Sequence, residues 1–116
     1  MTDIIIYHNS RCSKSRQTLA LLEQQNKKIN IVNYLETPLS VEQLQNIITL
    51  LGFVSARQLM RTKEVLYKEL ALGNENDESV LLNAMLNNPK LIERPIVLAN
   101  GKAAIGRPPE SVLDII

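Results

Sequence analysis

Cys12 is the residue of this sequence whose chemistry is most informative. It is the single cysteine among the 116 residues, so these residues cannot form a disulfide among themselves. A free thiol has a pKa of about 8.5, and a helix N-terminus or nearby cations increase the fraction of nucleophilic thiolate at neutral pH. The alternative is that Cys12 is a small buried residue, as free cysteines often are.

The neighbours of Cys12 favour chemistry over packing. Four basic residues within a few positions could supply positive charge, namely His8, Arg11, Lys14 and Arg16. Among them, His8 is the candidate that would stabilise the thiolate by ion pairing or hydrogen bonding. A structural histidine that hydrogen-bonds the loop is the alternative. Ser15 could add a hydroxyl donor to the sulfur, beside the free N–H groups of a first helical turn.

Ser15 also stands where a dithiol oxidoreductase carries its second cysteine. An internal disulfide with Cys12 is therefore excluded. A catalytic cycle that oxidises Cys12 must take electrons from an external thiol, such as glutathione followed by glutaredoxin, or a thioredoxin.

Three arginines are candidates for binding an oxyanion. Arg61, Arg94 and Arg107 each lie in a predicted loop or at the end of a predicted element. Arginine suits an oxyanion because its planar guanidinium binds pairs of oxygens. For each one alone, a solvated surface cation is the alternative.

The predicted elements place Cys12 at the start of a helix. Residues 4–7 form a β-branched run, residues 13–25 favour a helix, and residues 29–34 predict a second strand parallel to the first. The middle of the chain is helical, and Ser40 to Gln43 has the pattern of a capping box.

Strands return near the C-terminus. Residues 95–98 and 102–105 flank Asn100-Gly101 and predict a β-hairpin, and residues 106–110 open a last helix. The order βαβ, helices, ββα predicts a single thioredoxin-like α/β domain over residues 1–116. A helical insert at about 40–88 separates its two halves.

Composition and charge narrow the classes of function. Hydrophobic residues make up 45% and charged residues 22%, with a net charge of +1, which is typical of a globular protein and predicts no nucleic-acid partner. No run approaches the roughly 20 apolar residues of a membrane span, so no membrane association is expected. One cysteine favours a reducing compartment, and we expect a cytoplasmic protein.

Seven short motifs lie in order along essentially the whole chain: Tyr7-His-Asn-Ser-Arg-Cys12, Ser15-Arg16, Tyr34-Leu-Glu-Thr-Pro38, Leu59-Met-Arg61, Tyr67-Lys-Glu-Leu70, Glu93-Arg-Pro-Ile-Val97 and Gly106-Arg-Pro108. Together they resemble the glutaredoxin-dependent arsenate reductase family, whose fold is thioredoxin-like with a helical insert. Carried over by position, Cys12 would be the nucleophile and His8 would lower its pKa. Ser15 would support the thiolate, and the arginines at 61, 94 and 107 would bind the oxyanion.

The resemblance also implies a reaction. Arsenate would be reduced to arsenite, with glutathione as co-substrate and glutaredoxin as partner, and with no bound metal or organic prosthetic group. The protein is expected to act as a monomer. The bond Arg94–Pro95 is expected to be cis, because cis peptides are almost confined to X-Pro.

Other functions remain open on this scaffold. The chain ends at Ile116, where the best-known members continue with a tail, and it also resembles a shorter branch of the family. One alternative is a monothiol, glutathione-linked oxidoreductase. Another is a redox-responsive binding protein that contacts RNA polymerase, although such regulators typically carry a second cysteine three residues after the first.

Overall fold

The computed structural model describes residues 3–116 and forms two compact units. One unit comprises the chain up to Thr37 together with the chain from Arg94 onwards, and the other is Pro38–Glu93. The insert predicted at about 40–88 falls within the second unit. A single domain over residues 1–116 stays a prediction.

A four-stranded sheet organises the first unit. Its strands are β1 (Ile4–His8), β2 (Ile29–Asn33), β3 (Ile96–Ala99) and β4 (Lys102–Ile105), in the order β2-β1-β3-β4. β1 and β2 are parallel, and β3 is antiparallel to both β1 and β4. The predicted parallel pair and hairpin are therefore confirmed.

Helix α1 (Ser13–Glu23) connects β1 to β2 and packs through Leu22. A fully apolar cluster holds the sheet, this helix and the C-terminal segment together, and consists of Ile4, Ile6, Leu22, Val97, Ala99 and Val112. Burial of such side chains stabilises a fold by about 1.5–3 kcal/mol each. As a result, the loop between β1 and α1 is fixed at both ends, and this loop carries Cys12.

The C-terminal half of the sheet turns where the sequence predicts it. Asn100 and Gly101 have φ angles of 54° and 73°, which is the left-handed region that a tight hairpin turn requires. The last helix differs from the one predicted to open at residues 106–110. In the structure it is a 3₁₀ helix that spans Pro109–Asp114. Adjacent prolines at 108 and 109 offer no N–H, and the N–H of Ser111 bonds the carbonyl of Pro108 in the 3₁₀ pattern.

The second unit is helical, as predicted. It contains α2 (Val41–Leu50), α3 (Val65–Glu69) and α4 (Glu78–Asn87), with 3₁₀ helices at Ala56–Leu59, Leu72–Asn74 and Pro89–Leu91. The capping box predicted at Ser40 is formed, and Ser55 forms another with Gln58. In the part of the chain that the structure covers, none of the helices is long and apolar enough to cross a membrane.

Arg61 is held by the backbone of this second unit. Its neighbour Met60 forms an isolated antiparallel bridge with Ile92, and the N–H of Arg61 donates to the carbonyl of Leu91 at 2.7 Å. The bridge makes the position of the Arg61 backbone well defined within its own unit.

Gly106 lies where a side chain has no room, between the end of β4 and Arg107. A Cβ at this position would overlap the Thr18 hydroxyl and would lie 2.8 Å from Pro95 Cγ. We expect Gly106→Ala to lower the free energy of unfolding by about 1–3 kcal/mol, the usual cost of overpacking. Urea unfolding followed by circular dichroism measures this effect.

Gly73→Ala provides the matched control for Gly106→Ala. A Cβ at Gly73 would meet only Tyr67, at an ordinary 3.7 Å. An unfolding midpoint for Gly106→Ala as high as that of Gly73→Ala would contradict the steric interpretation.

Candidate active site

Cys12 lies at the N-cap of α1, as the sequence predicts. Its φ and ψ of −96° and 123° are extended, and its N–H donates to the carbonyl of Asn9 at 3.0 Å. Its own carbonyl accepts the N–H of Arg16, which is the first bond of the helix. The residue is 8% exposed, so the sulfur is shielded while remaining at the open end of the helix.

Two guanidinium groups converge on the Cys12 sulfur. Arg107 Nη2 lies 3.7 Å from Sγ, and the side chain of Arg94 also donates a hydrogen bond to Sγ. The two arginines are joined to each other, because Arg107 Nε donates to the backbone carbonyl of Arg94 at 2.8 Å. Both arginines thus belong to one site with the thiol.

The pKa of the Cys12 thiol is lowered despite its burial. Burial on its own raises the pKa, because it disfavours the charged thiolate. The hydrogen bond and charge of Arg94, with the N–H groups of Ser15 and Lys14, lower it by a larger amount. The cysteine is therefore more acidic than a free thiol, which argues against a purely packing role.

Ser15 supports the thiol through its backbone amide, whereas its hydroxyl is engaged elsewhere. Its Oγ accepts the N–H of Asn9 at 3.0 Å and lies 2.6 Å from His8 Nδ1. Ser15 is fully buried. The hydroxyl donor that the sequence suggested for the sulfur is thus used to join β1, the loop and α1.

The pKa of His8 is lowered by burial and by the positive charge of Arg16, with a smaller opposing effect of Glu23. The imidazole is therefore neutral at neutral pH. A neutral His8 is hydrogen-bonded through Nδ1 to the Ser15 hydroxyl. Stabilisation of the thiolate by His8, through ion pairing or hydrogen bonding, stays a prediction, as does its catalytic role.

Arg61 belongs to the second unit, where it pairs with two carboxylates. Its Nη1 lies 3.2 Å from Glu64, and its Nε lies 3.8 Å from Glu93. The side chain of Arg61 is 26% exposed. Its role as an oxyanion ligand stays a prediction.

Two residues of the site, Tyr34 and Asn9, were not predicted from the sequence as site residues. Tyr34 is buried. Burial alone lowers the pKa of the Arg94 guanidinium, whereas the Cys12 sulfur and the Tyr34 phenol raise it by a larger amount. Asn9 closes the loop before Cys12, since its Oδ1 accepts the N–H of Arg11 at 3.0 Å. An asparagine that precedes a helix is typical of such turns and could have indicated this role.

The remaining site predictions concern the backbone and the other cations. The Arg94–Pro95 bond is cis, as predicted, and the Arg107–Pro108 bond is also cis, which was not predicted.

Arg11 is exposed, and Arg16 Nη1 donates to the carbonyl of Ser10 at 2.9 Å. Arg16 thus bonds the loop backbone, whereas the side chains of Arg94 and Arg107, which are distant in sequence, contact the sulfur.

The arrangement combines a nucleophile with binding groups for an anion. An ionised sulfur can attack an electrophilic centre, while the two guanidinium groups can hold oxygens that carry negative charge. Within residues 3–116, no group of three or more His, Cys, Asp or Glu side chains could hold a metal ion. The Cys12 sulfur and the two guanidinium groups are suited to covalent thiol chemistry on an oxyanion.

Comparisons with known proteins agree with this geometry. Residues 7–115 match the sequence model described as the ArsC family. The chain is 57% identical over 112 residues to the uncharacterized protein YfgD of Escherichia coli K12, covering 96% of this chain and 94% of that protein. It is 53% identical to a protein of Neisseria meningitidis serogroup A named arsenate reductase, over 97% of both chains.

A solved structure extends the likeness to three dimensions. The structure described as arsenate reductase from Vibrio cholerae superimposes with a TM-score of 0.95 at 52% sequence identity, covering 99% of this chain and 98% of that one. The predicted thioredoxin-like α/β fold is thereby confirmed.

The lowered pKa of Cys12 predicts its alkylation behaviour. The rate of reaction with iodoacetamide follows the thiolate fraction, so half of the maximal rate should occur at a lower pH than it does for a free cysteine measured under the same conditions. Arg94→Gln removes a hydrogen bond and a charge from the sulfur, and should shift this midpoint to higher pH.

Lys102→Gln is the matched control for Arg94→Gln. It removes one positive charge from the exposed start of β4 in the same unit. The midpoint should stay at its original pH in this variant. Equal midpoints for Arg94→Gln and the unchanged protein would contradict the assignment of Arg94.

The single histidine of the chain allows a second test by NMR. We expect the imidazole proton signals of His8 to titrate below pH 6.5, the ordinary value. Arg16→Gln removes a repelling charge and should raise the pKa of His8, whereas Glu23→Gln should lower it further. Shifts of the opposite sign, or a midpoint above 6.5 in the unchanged protein, would contradict a neutral His8.

Proposed function

The chain belongs to the ArsC family, and on this premise we propose that it reduces arsenate to arsenite with Cys12 as the nucleophile. One observation carries the proposal. The sulfur of Cys12 has a lowered pKa and lies against the guanidinium groups of Arg94 and Arg107. The names of the relatives then suggest arsenate as the oxyanion that these groups bind.

The first step joins the sulfur to arsenic. The thiolate of Cys12 attacks arsenic(V), a sulfur–arsenic bond forms, and the bond from arsenic to one of its hydroxyl groups breaks, so that this hydroxyl leaves as water after taking up a proton from solvent. Arsenic remains in the +5 state at this stage. Arg94 and Arg107 hold the remaining oxygens and stabilise the charge that they carry during attack.

Reduction requires two external thiols, because the chain has one cysteine. The first thiol binds the arsenic, and a hydroxyl of arsenic leaves as water with the thiol proton. The second thiol attacks the sulfur of the first and forms a disulfide with it. The bond between that sulfur and arsenic breaks, and its electron pair remains on arsenic, which becomes arsenic(III). Water then releases arsenite and returns Cys12 as a thiol.

We assign these two thiols to glutathione and glutaredoxin. Ser15 leaves Cys12 without an internal partner, which supports donors that operate by single thiols. The proposal includes a cytoplasmic location, where such thiols are kept reduced. It also includes action as a monomer without a bound metal or organic prosthetic group.

The other site residues act through the thiol in this proposal. His8 and Ser15 hold the loop and the first turn of α1 in the geometry that presents the N–H groups of Ser15 and Lys14 to the sulfur. Arg61 would be a third oxyanion ligand. Its charge is partly compensated by Glu64 and Glu93, so its contribution should be smaller than that of Arg94.

Arsenite formation by the purified protein with arsenate, glutathione and glutaredoxin tests the proposal. Cys12→Ser should abolish arsenite formation, because it removes the nucleophile. Arg94→Gln should lower kcat/KM for arsenate by about 10²–10³-fold, the usual effect of losing one charge-stabilising group. Arg61→Gln should lower it less, and Lys102→Gln should leave it unchanged.

The outcomes separate the two parts of the proposal. If no donor supports arsenite formation, or if Cys12→Ser retains it, arsenate reduction by this thiol is rejected. If a thioredoxin with its reductase supports arsenite formation in the absence of glutathione, the assignment of the donors is rejected while the reaction stands.

A further inference from the structure

A cavity of about 300 Å³ lies beside the turn that leads to Cys12. It is lined by residues of two segments, which are Asn9, Ser10, Arg11, Asn33, Leu35 and Glu36. The first segment is the loop between β1 and α1, and the second follows the end of β2. The cavity volume is at the lower end of the range for small-molecule sites.

The lining of this cavity combines opposite charges with amides. Arg11 and Glu36 are exposed side chains that can bind a carboxylate and an ammonium group, respectively. Asn9 and Asn33 use their side-chain oxygens within the turns, where they accept the N–H groups of Arg11 and Leu35. Their NH₂ groups are then the ends that can donate to the carbonyl oxygens of a ligand.

Hydrogen bonds hold both segments in place. The N–H of Cys12 donates to the carbonyl of Asn9 at 3.0 Å, so the cavity wall is bonded to the backbone of the nucleophile. The N–H of Glu36 donates to the carbonyl of Asn33 at 3.1 Å. A ligand in the cavity would therefore meet a preformed wall, which reduces the entropy cost of binding.

We propose that this cavity binds a small zwitterionic peptide thiol, the external donor that attacks Cys12-bound arsenic. The inference rests on the proposed function, which requires such a thiol because the chain has one cysteine. Arg11 holds a carboxylate of the ligand, Glu36 holds its ammonium group, and the two asparagines bind its peptide carbonyls. In the step itself a sulfur–arsenic bond forms, and an arsenic-bound hydroxyl leaves as water with the thiol proton.

A larger cavity elsewhere in the chain is less suited to this ligand. It measures about 380 Å³ and belongs to the second unit. Its lining consists of uncharged residues, namely Leu70, Leu72, Val80, Asn83, Ala84, Asn87 and Asn88. A zwitterion gains no charge-assisted hydrogen bond there, so volume alone does not select the site.

Binding of S-methylglutathione tests the inference without any redox step, because this probe keeps the charges of glutathione and lacks its reactive thiol. In NMR spectra of the full chain, the amide signals of residues 9–11 and 33–36 should shift on its addition. Arg11→Gln and Glu36→Gln should each weaken binding by about tenfold, the loss expected for one charge-assisted hydrogen bond.

Two control variants and a second probe test whether the charges of Arg11 and Glu36 themselves bind the ligand. Lys27→Gln and Glu110→Gln remove the same charges from other exposed positions of the first unit and should bind the probe as the unchanged protein does. N-acetylated S-methylglutathione lacks the ammonium group. It should bind about tenfold more weakly, and Glu36→Gln should weaken its binding no further.

Kinetics then connect the cavity to the reaction. In arsenite formation, Arg11→Gln and Glu36→Gln should raise KM for glutathione about tenfold and leave KM for arsenate unchanged. The inference is overturned if both variants bind S-methylglutathione as the two control variants do, or if the shifted signals lie elsewhere. Arsenite formation with an unchanged KM for glutathione would overturn it too, and would leave the proposed function intact.

Discussion

The structure around Cys12 depends on a balance between burial and positive charge at one sulfur atom. Burial disfavours the thiolate, whereas Arg94 and the amides of the first helical turn favour it, and the second effect is the larger. Hydrogen bonds to an ionised group are about twice as strong as neutral ones, so a few well-placed donors can outweigh partial burial. Because the pKa is lower in the folded state, ionisation of Cys12 stabilises the fold at alkaline pH. That contribution is lost as the pH falls through the folded-state pKa.

This balance requires a loop of defined geometry, and the supporting hydrogen bonds provide it. The hydroxyl of Ser15 links His8 at the end of β1 to Asn9 in the loop, and both contacts are buried. A neutral imidazole serves this purpose without adding a third charge to the site. The reactive sulfur is thus positioned by a set of uncharged polar groups, while the charged groups contact it directly.

Much of the fold could be predicted from local patterns. The capping box at Ser40 and the Asn100-Gly101 turn specify backbone geometry through neighbouring residues alone, and both are present. The form of the last helix could not be predicted in the same way, because whether Pro109–Asp114 becomes a 3₁₀ or an α-helix depends on which carbonyls its few N–H groups reach.

In the site too, features set by neighbouring residues could be predicted, whereas contacts between distant residues could not. The position of Cys12 at a helix N-terminus follows from residue order, and so it could be predicted. The partner of the Ser15 hydroxyl and the contact of Tyr34 with Arg94 depend on tertiary packing, and residue types alone do not specify them. Arg94 and Arg107 were selected by resemblance, since their spacing from Cys12 gives no physical reason to expect contact.

The contact between Arg107 and Cys12 joins residues that are 95 positions apart in the chain. A protein is synthesised from its N-terminus, so Cys12 leaves the ribosome long before Arg94, which lowers its pKa, and Arg107, which contacts its sulfur. Until the C-terminal strands add to β1, the sulfur lacks the hydrogen bond and the charge of Arg94 and keeps only the amides of the first helical turn. Full activation of the nucleophile is therefore coupled to completion of the sheet.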